Sequence, residues 1–117
     1  MNHSRRLPLV IATLALATSS HAAELDLSAC TFASEPEIAD GTKATQEQMT
    51  ASATAVRSYM GAMQDALACI DDAEQQAGGE ISPEQKAAAA SAYNSGVDKL
   101  NAIAEQYNAQ VRAFKNR

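Results

Sequence analysis

AGGEISPEQ, residues 77–85, stops one helix and starts another. Glycine takes a helix C-terminal cap without the steric penalty other residues meet, so Gly78-Gly79 closes whatever precedes it. Ser82 then offers an N-cap hydroxyl, Pro83 fits the first helical position, and Gln85 can reach back to complete a capping box. The segment therefore reads as the tip of a helical hairpin.

Working outward, Thr45-Gln46-Glu47-Gln48 forms a second capping box. From it an apolar stripe runs Met49, Ala53, Val56, Met60, Met63, Leu67, Ile70 in alternating steps of four and three. The second helix carries Tyr93, Val97, Leu100, Ala104, Tyr107, Val111, Phe114 in the same rhythm. Both segments are rich in alanine, the best helix former. The fold expected is all-α: an antiparallel two-helix hairpin, about 45–77 and 83–115, with coiled-coil-like packing. Pairing positions that sum to about 160 sets Leu67 against Tyr93, Met63 against Val97, Ala53 against Tyr107 and Met49 against Val111.

The flanks of this seam differ. On one side Arg57, Gln64 and Asp71 face Asn94, Asn101 and Asn108, a polar edge with a seven-residue repeat. On the other, Ala55, Tyr59, Ala62, Ala66 and Cys69 meet Gly96 and Ile103. Left wet, this second edge would be an exposed apolar strip, so something should cover it.

Cys30 and Cys69, the two cysteines of the chain, point to what does. Cys69 lies about 36 Å along the first helix at ~1.5 Å per residue, and the segment from Cys30 to Thr45 spans at most about 50 Å. A bond between the cysteines requires residues 30–44 to run extended and antiparallel to the first helix, as the main part of a strap over residues 23–44. Phe32, Pro36 and Ile38 are its anchors and Asp40-Gly41 its turn into the helix. The competing reading of Cys30 is acylation, because Leu27-Ser28-Ala29-Cys30 spells a lipoprotein box. Glu24 and Asp26 separate that box from any apolar core, and acylation would leave Cys69 an odd thiol, so the disulfide is the expectation.

Residues 1–22 read as a cleaved secretory signal. MNHSRR is basic, LPLVIATLALA (7–17) is apolar but too short to span a bilayer, and Ser20 and Ala22 are the small residues before a cut after Ala22. A periplasmic or secreted protein is expected, divided into signal (1–22), strap (23–44) and hairpin (45–117). Losing Arg5 and Arg6 takes the bases from 9 to 7 against 14 acids, a net charge of −7. Nucleic acid is not an expected partner for such a chain, and no transmembrane segment is expected in the mature protein.

Little catalytic chemistry is available. Both histidines, His3 and His21, fall in the signal, which removes histidine bases, triads and histidine zinc sites from the mature chain. No phosphate-binding glycine loop occurs, and neither an enzyme nor a cofactor is expected. Asp71, Asp72, Glu74, Glu80 and Glu84 gather near the tip; they are a weak candidate cation site without calcium-loop spacing, and a solvated acidic tip is the plainer reading. Met49, Met60 and Met63 lie on the seam and read as core filling. Tyr59, Ile103, Asn94, Asn101 and Asn108 are the candidate interaction surface, for an unknown protein partner or a second copy of the chain.

Pro36-Glu37-Ile38-Ala39-Asp40-Gly41, followed by Thr45, Met49, Val56, Tyr59, Met60, Leu67 and Cys69, resembles a family of small uncharacterised secreted or periplasmic helical proteins of Gram-negative bacteria. Its pattern is a Pro-x-Ile-x-Asp-Gly turn, a Met…Val…Tyr helix and a Leu-x-Cys, matched here over about residues 30–70. The resemblance implies export and a helical fold, and it supplies no functional residue. Many such sequences place proline before the Asp-Gly pair; Ala39 stands there in this chain, an exchange expected to loosen the turn.

These features favour binding over catalysis: an exported adaptor or scaffold, whose partner is another protein or a second copy of the chain. The alternatives are an envelope-stress holdase, which exposes apolar surface when loosened, and a lipoprotein anchored at Cys30.

Overall fold

The computed structural model describes residues 24–117. The expected signal and its cleavage site lie outside the described residues. Two long helices, α1 (Gln46–Ala77) and α2 (Pro83–Lys115), are joined by a single 3₁₀ turn at Gly78–Glu80. They pack against each other as a hairpin.

The caps form as the sequence dictates. Thr45 Oγ1 accepts from the Gln48 amide at 3.1 Å while Gln48 Oε1 accepts from the Thr45 amide at 2.8 Å. Ser82 and Gln85 repeat the exchange at 3.1 Å in both directions. Each box satisfies two donors that a helix start leaves unpaired. Gly78 ends α1 with φ 69° and ψ −165°, a conformation open in practice only to glycine.

The strap is present and extended, with Cys30 bonded to Cys69. It shifts the centre of the core. The buried line of α1 is Met49, Ser52, Val56, Tyr59, Met63, Ala66 and Ile70, with Leu67 beside it; Ala53 and Met60 are half-buried. On α2 the buried positions are Ala89, Gly96 and Ile103, one residue before the expected seam, whose own members are only half-buried. With two helices alone the core would lie on the line between them. A third element in one groove moves it to the three-way junction, where Val56, Tyr59, Met63 and Ile103 cluster under Phe32, Ala33 and Ile38. The axial register is close to expectation, since Met49, Ala53, Tyr107 and Val111 line one groove.

Candidate functional site: the two grooves of the hairpin

A helical hairpin has two long grooves, one on each side. In this protein one is filled and the other is open.

The filled groove is built by small residues and a few polar ties. Near the tip, the Ser28 amide bonds Asp26 Oδ1 at 2.9 Å and the Cys30 amide bonds the Leu27 carbonyl at 2.9 Å, a turn that delivers Cys30 to α1. Phe32 drops onto Gly96: a Cβ there would come within 2.7 Å of Leu67 Cδ2 and 3.0 Å of Phe32 Cζ. Glycine is what lets the aromatic ring reach the backbone of α2. Farther along, the Ala39 amide donates to the buried Ser52 hydroxyl at 2.9 Å. Proline at position 39 has no hydrogen to donate, so alanine ties this turn down where looseness was expected. Asp40 Oδ1 accepts from both the amide and the hydroxyl of Thr42, at 2.9 and 2.7 Å, and these bonds hold its carboxyl below the ordinary range. The Gly41 amide donates to Gln110 Oε1 at 2.8 Å, and Arg117 Nη1 reaches the Ala44 carbonyl at 2.8 Å while its guanidinium stacks 4.5 Å above the Phe114 ring. The end of α2 thus clamps the start of α1.

Of the expected anchors, Phe32 and Ile38 pack against the core, and Pro36 is half-buried in the extended run. Gly41, read from the sequence as the turn, also ties the strap to α2 through Gln110, and Ser52, Gln110 and Arg117 add attachments that were not singled out by sequence. Ser52 was legible in principle: it precedes Tyr59 and Ala66 at intervals of seven.

Two candidate surface residues are corrected by this arrangement. Tyr59 is only 3% exposed and Ile103 only 1%, because the strap lies over both. They are core, not interaction surface. The Tyr59 hydroxyl is buried without a hydrogen-bond partner. Burial first, and the nearby Glu35 carboxylate second, push this phenol above its ordinary value. Asn94, Asn101 and Asn108 are exposed, as expected.

The acidic tip does not assemble. Asp71, Asp72 and Glu84 are exposed and Glu74 half-buried, and among the described residues no three His, Cys, Asp or Glu side chains converge to hold a metal ion. The charges repel and, at the surface, solvation lets them spread. Asp72 lies instead beside the disulfide, where it borders with Asp26 and Asp65 the depression in which Cys30 and Cys69 sit. The Cys30 sulfur that acylation would need is the one bonded to Cys69.

The open groove lies on the other side of the hairpin. Ala53, Val56 and Met60 from α1 and Ala104 and Tyr107 from α2 form its floor. Arg57, Gly61 and Gln64 make one rim and Asn108 the other. The floor is apolar, and Arg57, Gln64 and Asn108 make its edges polar. No helix among the described residues is long and apolar enough to cross a membrane.

Comparison with family models, with curated proteins and with solved structures gives no match to this chain.

Proposed function

We propose that this is an exported, non-enzymatic protein that acts by binding a macromolecule in the groove opposite its strap. The observation that carries the reading is the asymmetry of the hairpin. One groove is closed by the chain itself through a disulfide, a glycine notch and three long-range hydrogen bonds. The other keeps Met60 and Tyr107 half-exposed between Arg57, Gln64 and Asn108. A disulfide fits an oxidising compartment, in line with the secretory signal read at the N-terminus.

The test is a photo-reactive residue at Asn108, facing the open groove, and another at Glu37 on the exposed strap, in cells of the native host. A discrete adduct from Asn108 and none from Glu37 supports the reading. Equal labelling at both sites, or none at either, refutes it. Intact mass of the purified protein checks export independently, with an N-terminus at Ala23 and no lipid expected.

One observation favours a second reading, the holdase. The strap covers Tyr59, Met63 and Ile103, so its release would expose an apolar strip. A holdase would bind a hydrophobic dye and suppress aggregation of unrelated proteins when reduced; an adaptor would not suppress aggregation.

A further inference from the structure

The open groove is continuous, because the depression beside Met60 and the one beside Val111 share Ala53 and Tyr107. It runs along α1 from Gln46 to Gln64, roughly 27 Å at ~1.5 Å per residue. Ala53, Met60, Ala104, Tyr107, Val111 and Phe114 are half-buried along it, an apolar strip that the hairpin leaves unfinished.

Charge divides the surface in two. Arg57 and Lys115 are the charged residues bordering this groove, and both are cations. Glu24, Asp26, Asp65 and Asp72 border the two depressions on the disulfide side, and all are acids. The open groove is thus locally basic in a chain whose formal net charge is −5. Neither cation has an acid three or four residues away in its own helix. Ala53, Thr54, Met60 and Gly61 hold those positions around Arg57, and Val111 and Arg112 precede Lys115.

Hydrogen bonding decides the form of an occupant. The strap on the other side is extended, and Ser52 and Gln110 take the amides of its Ala39 and Gly41. The apolar floor of the open groove offers only the Tyr107 hydroxyl. An extended segment laid there would leave its backbone groups unpaired, whereas a helix pairs its own.

We propose that the open groove receives an amphipathic helix of another protein, about five turns long, with acidic residues flanking its apolar stripe. The stripe completes the burial of Met60 and Tyr107. Acids on its two flanks meet Arg57 on one wall and Lys115 on the other, roughly 17 Å apart along the groove. A second copy laid groove to groove brings further cations and, within these depressions, no acid, so charge favours an acidic partner. This inference rests on the reading of the open groove as a binding surface and names the chemistry of what binds there.

Two synthetic peptides of about 18 residues, long enough to fill the groove as helices, test it. Both carry leucine at helical spacing; one has glutamate and the other lysine at the flanking positions. Fluorescence anisotropy against the disulfide-bonded protein is expected to give the glutamate peptide a Kd of roughly 1–100 µM, weaker as salt rises. The lysine peptide should bind at least about tenfold more weakly. Non-specific attraction to an acidic chain favours lysine, so a preference for glutamate reports the groove itself. Arg57 and Lys115 are exposed, so Arg57→Glu/Lys115→Glu should keep its helicity by circular dichroism yet reverse the preference. Equal binding of the two peptides, a wild-type preference for lysine, or a preference for glutamate that survives in the double variant overturns the proposal. Uptake of laurate, or dimerisation in sedimentation, in place of the glutamate peptide overturns it in favour of an acyl chain or a second copy. If the Asn108 probe gives its adduct while the glutamate peptide does not bind, the groove still binds and only the acidic helix is wrong; if neither is seen, both readings fall together.

Discussion

The backbone of Gly41 lies against the backbone of Gln110, at a separation of 69 residues in sequence, and the Gly41 amide donates to the Gln110 side chain at 2.8 Å. Any Cβ at position 41 would overlap the Gln110 carbonyl. Because both groups are backbone, neither can move aside by changing a rotamer. Gly41→Ala should therefore cost about 1–3 kcal/mol, the usual range for forced overpacking. Gly79→Ala is the control, since a Cβ there meets open space at negative φ. Guanidinium denaturation of the two variants should separate them; equal midpoints would show that the strap does not bind α2 this closely.

Ser52 is buried and its hydroxyl accepts the Ala39 amide. Ser52→Ala strands that amide and should cost about 1–2 kcal/mol, the typical price of an unsatisfied buried donor. Ser52→Thr keeps the acceptor but adds a methyl to a tight site. Hydrogen exchange at the Ala39 amide is the direct measurement. Fast exchange in wild type would contradict the bond.

Cys30 and Cys69 hold the tip half of the strap, whereas Ser52, Gln110 and Arg117 hold the half next to α1. The Cys30→Ser/Cys69→Ser variant loses the loop constraint, worth about 4 kcal/mol in the chain-entropy model. The loss should also be uneven. Limited proteolysis is expected to cut residues 24–35 first and to spare 39–45 until the hairpin itself melts. Uniform cleavage along the strap would show that it detaches as one piece.

Tyr59→Phe should be neutral or stabilising, because it removes a buried hydroxyl that has no partner. Its pH dependence has a definite sign. The folded state holds the phenol above its ordinary value. Stability is thus unaffected below the ordinary tyrosine range, and it falls as pH rises from there, where the unfolded chain releases a proton that the folded one keeps. Thermal melts between pH 8 and 11 on both proteins, spanning the ordinary phenol pKa of about 10, should show a steeper alkaline fall in wild type. Parallel curves would mean that the hydroxyl has found a partner.

The sequence made the helices legible because their ends are chemical. Thr45 with Gln48, Ser82 with Gln85, and Gly78 each satisfy or terminate backbone groups locally, and they fall where expected. The strap was legible through two cysteines and the reach of the chain between them. The inner face was read one position off. In an alanine-rich helix, Ala53 and Ala104 look as apolar as a core requires, while Ser52 looks like surface. Only the strap, with its free amide at Ala39 and its ring at Phe32, makes Ser52, Gly96 and Ile103 the inside. For the same reason Tyr59 and Ile103 read as outward-facing when the hairpin is considered alone. The open groove was half legible: its polar rim showed as a seven-residue repeat, but only the fold brings Lys115 to the groove that Arg57 borders.

The bond between Cys30 and Cys69 also sets the route that mechanical load would take. Glu24 and Asp26 lie beside Gln76 and Ala77 at one end of the rod, and α2 finishes at the other. Tension applied between residues 24 and 117 passes from Cys30 straight across to Cys69, so the intervening backbone, the Phe32 and Ser52 ties included, carries none of it. Stretched from its extremities, the molecule would lengthen through α2 and the last turns of α1, while the covalent loop from Cys30 to Cys69 was not drawn out.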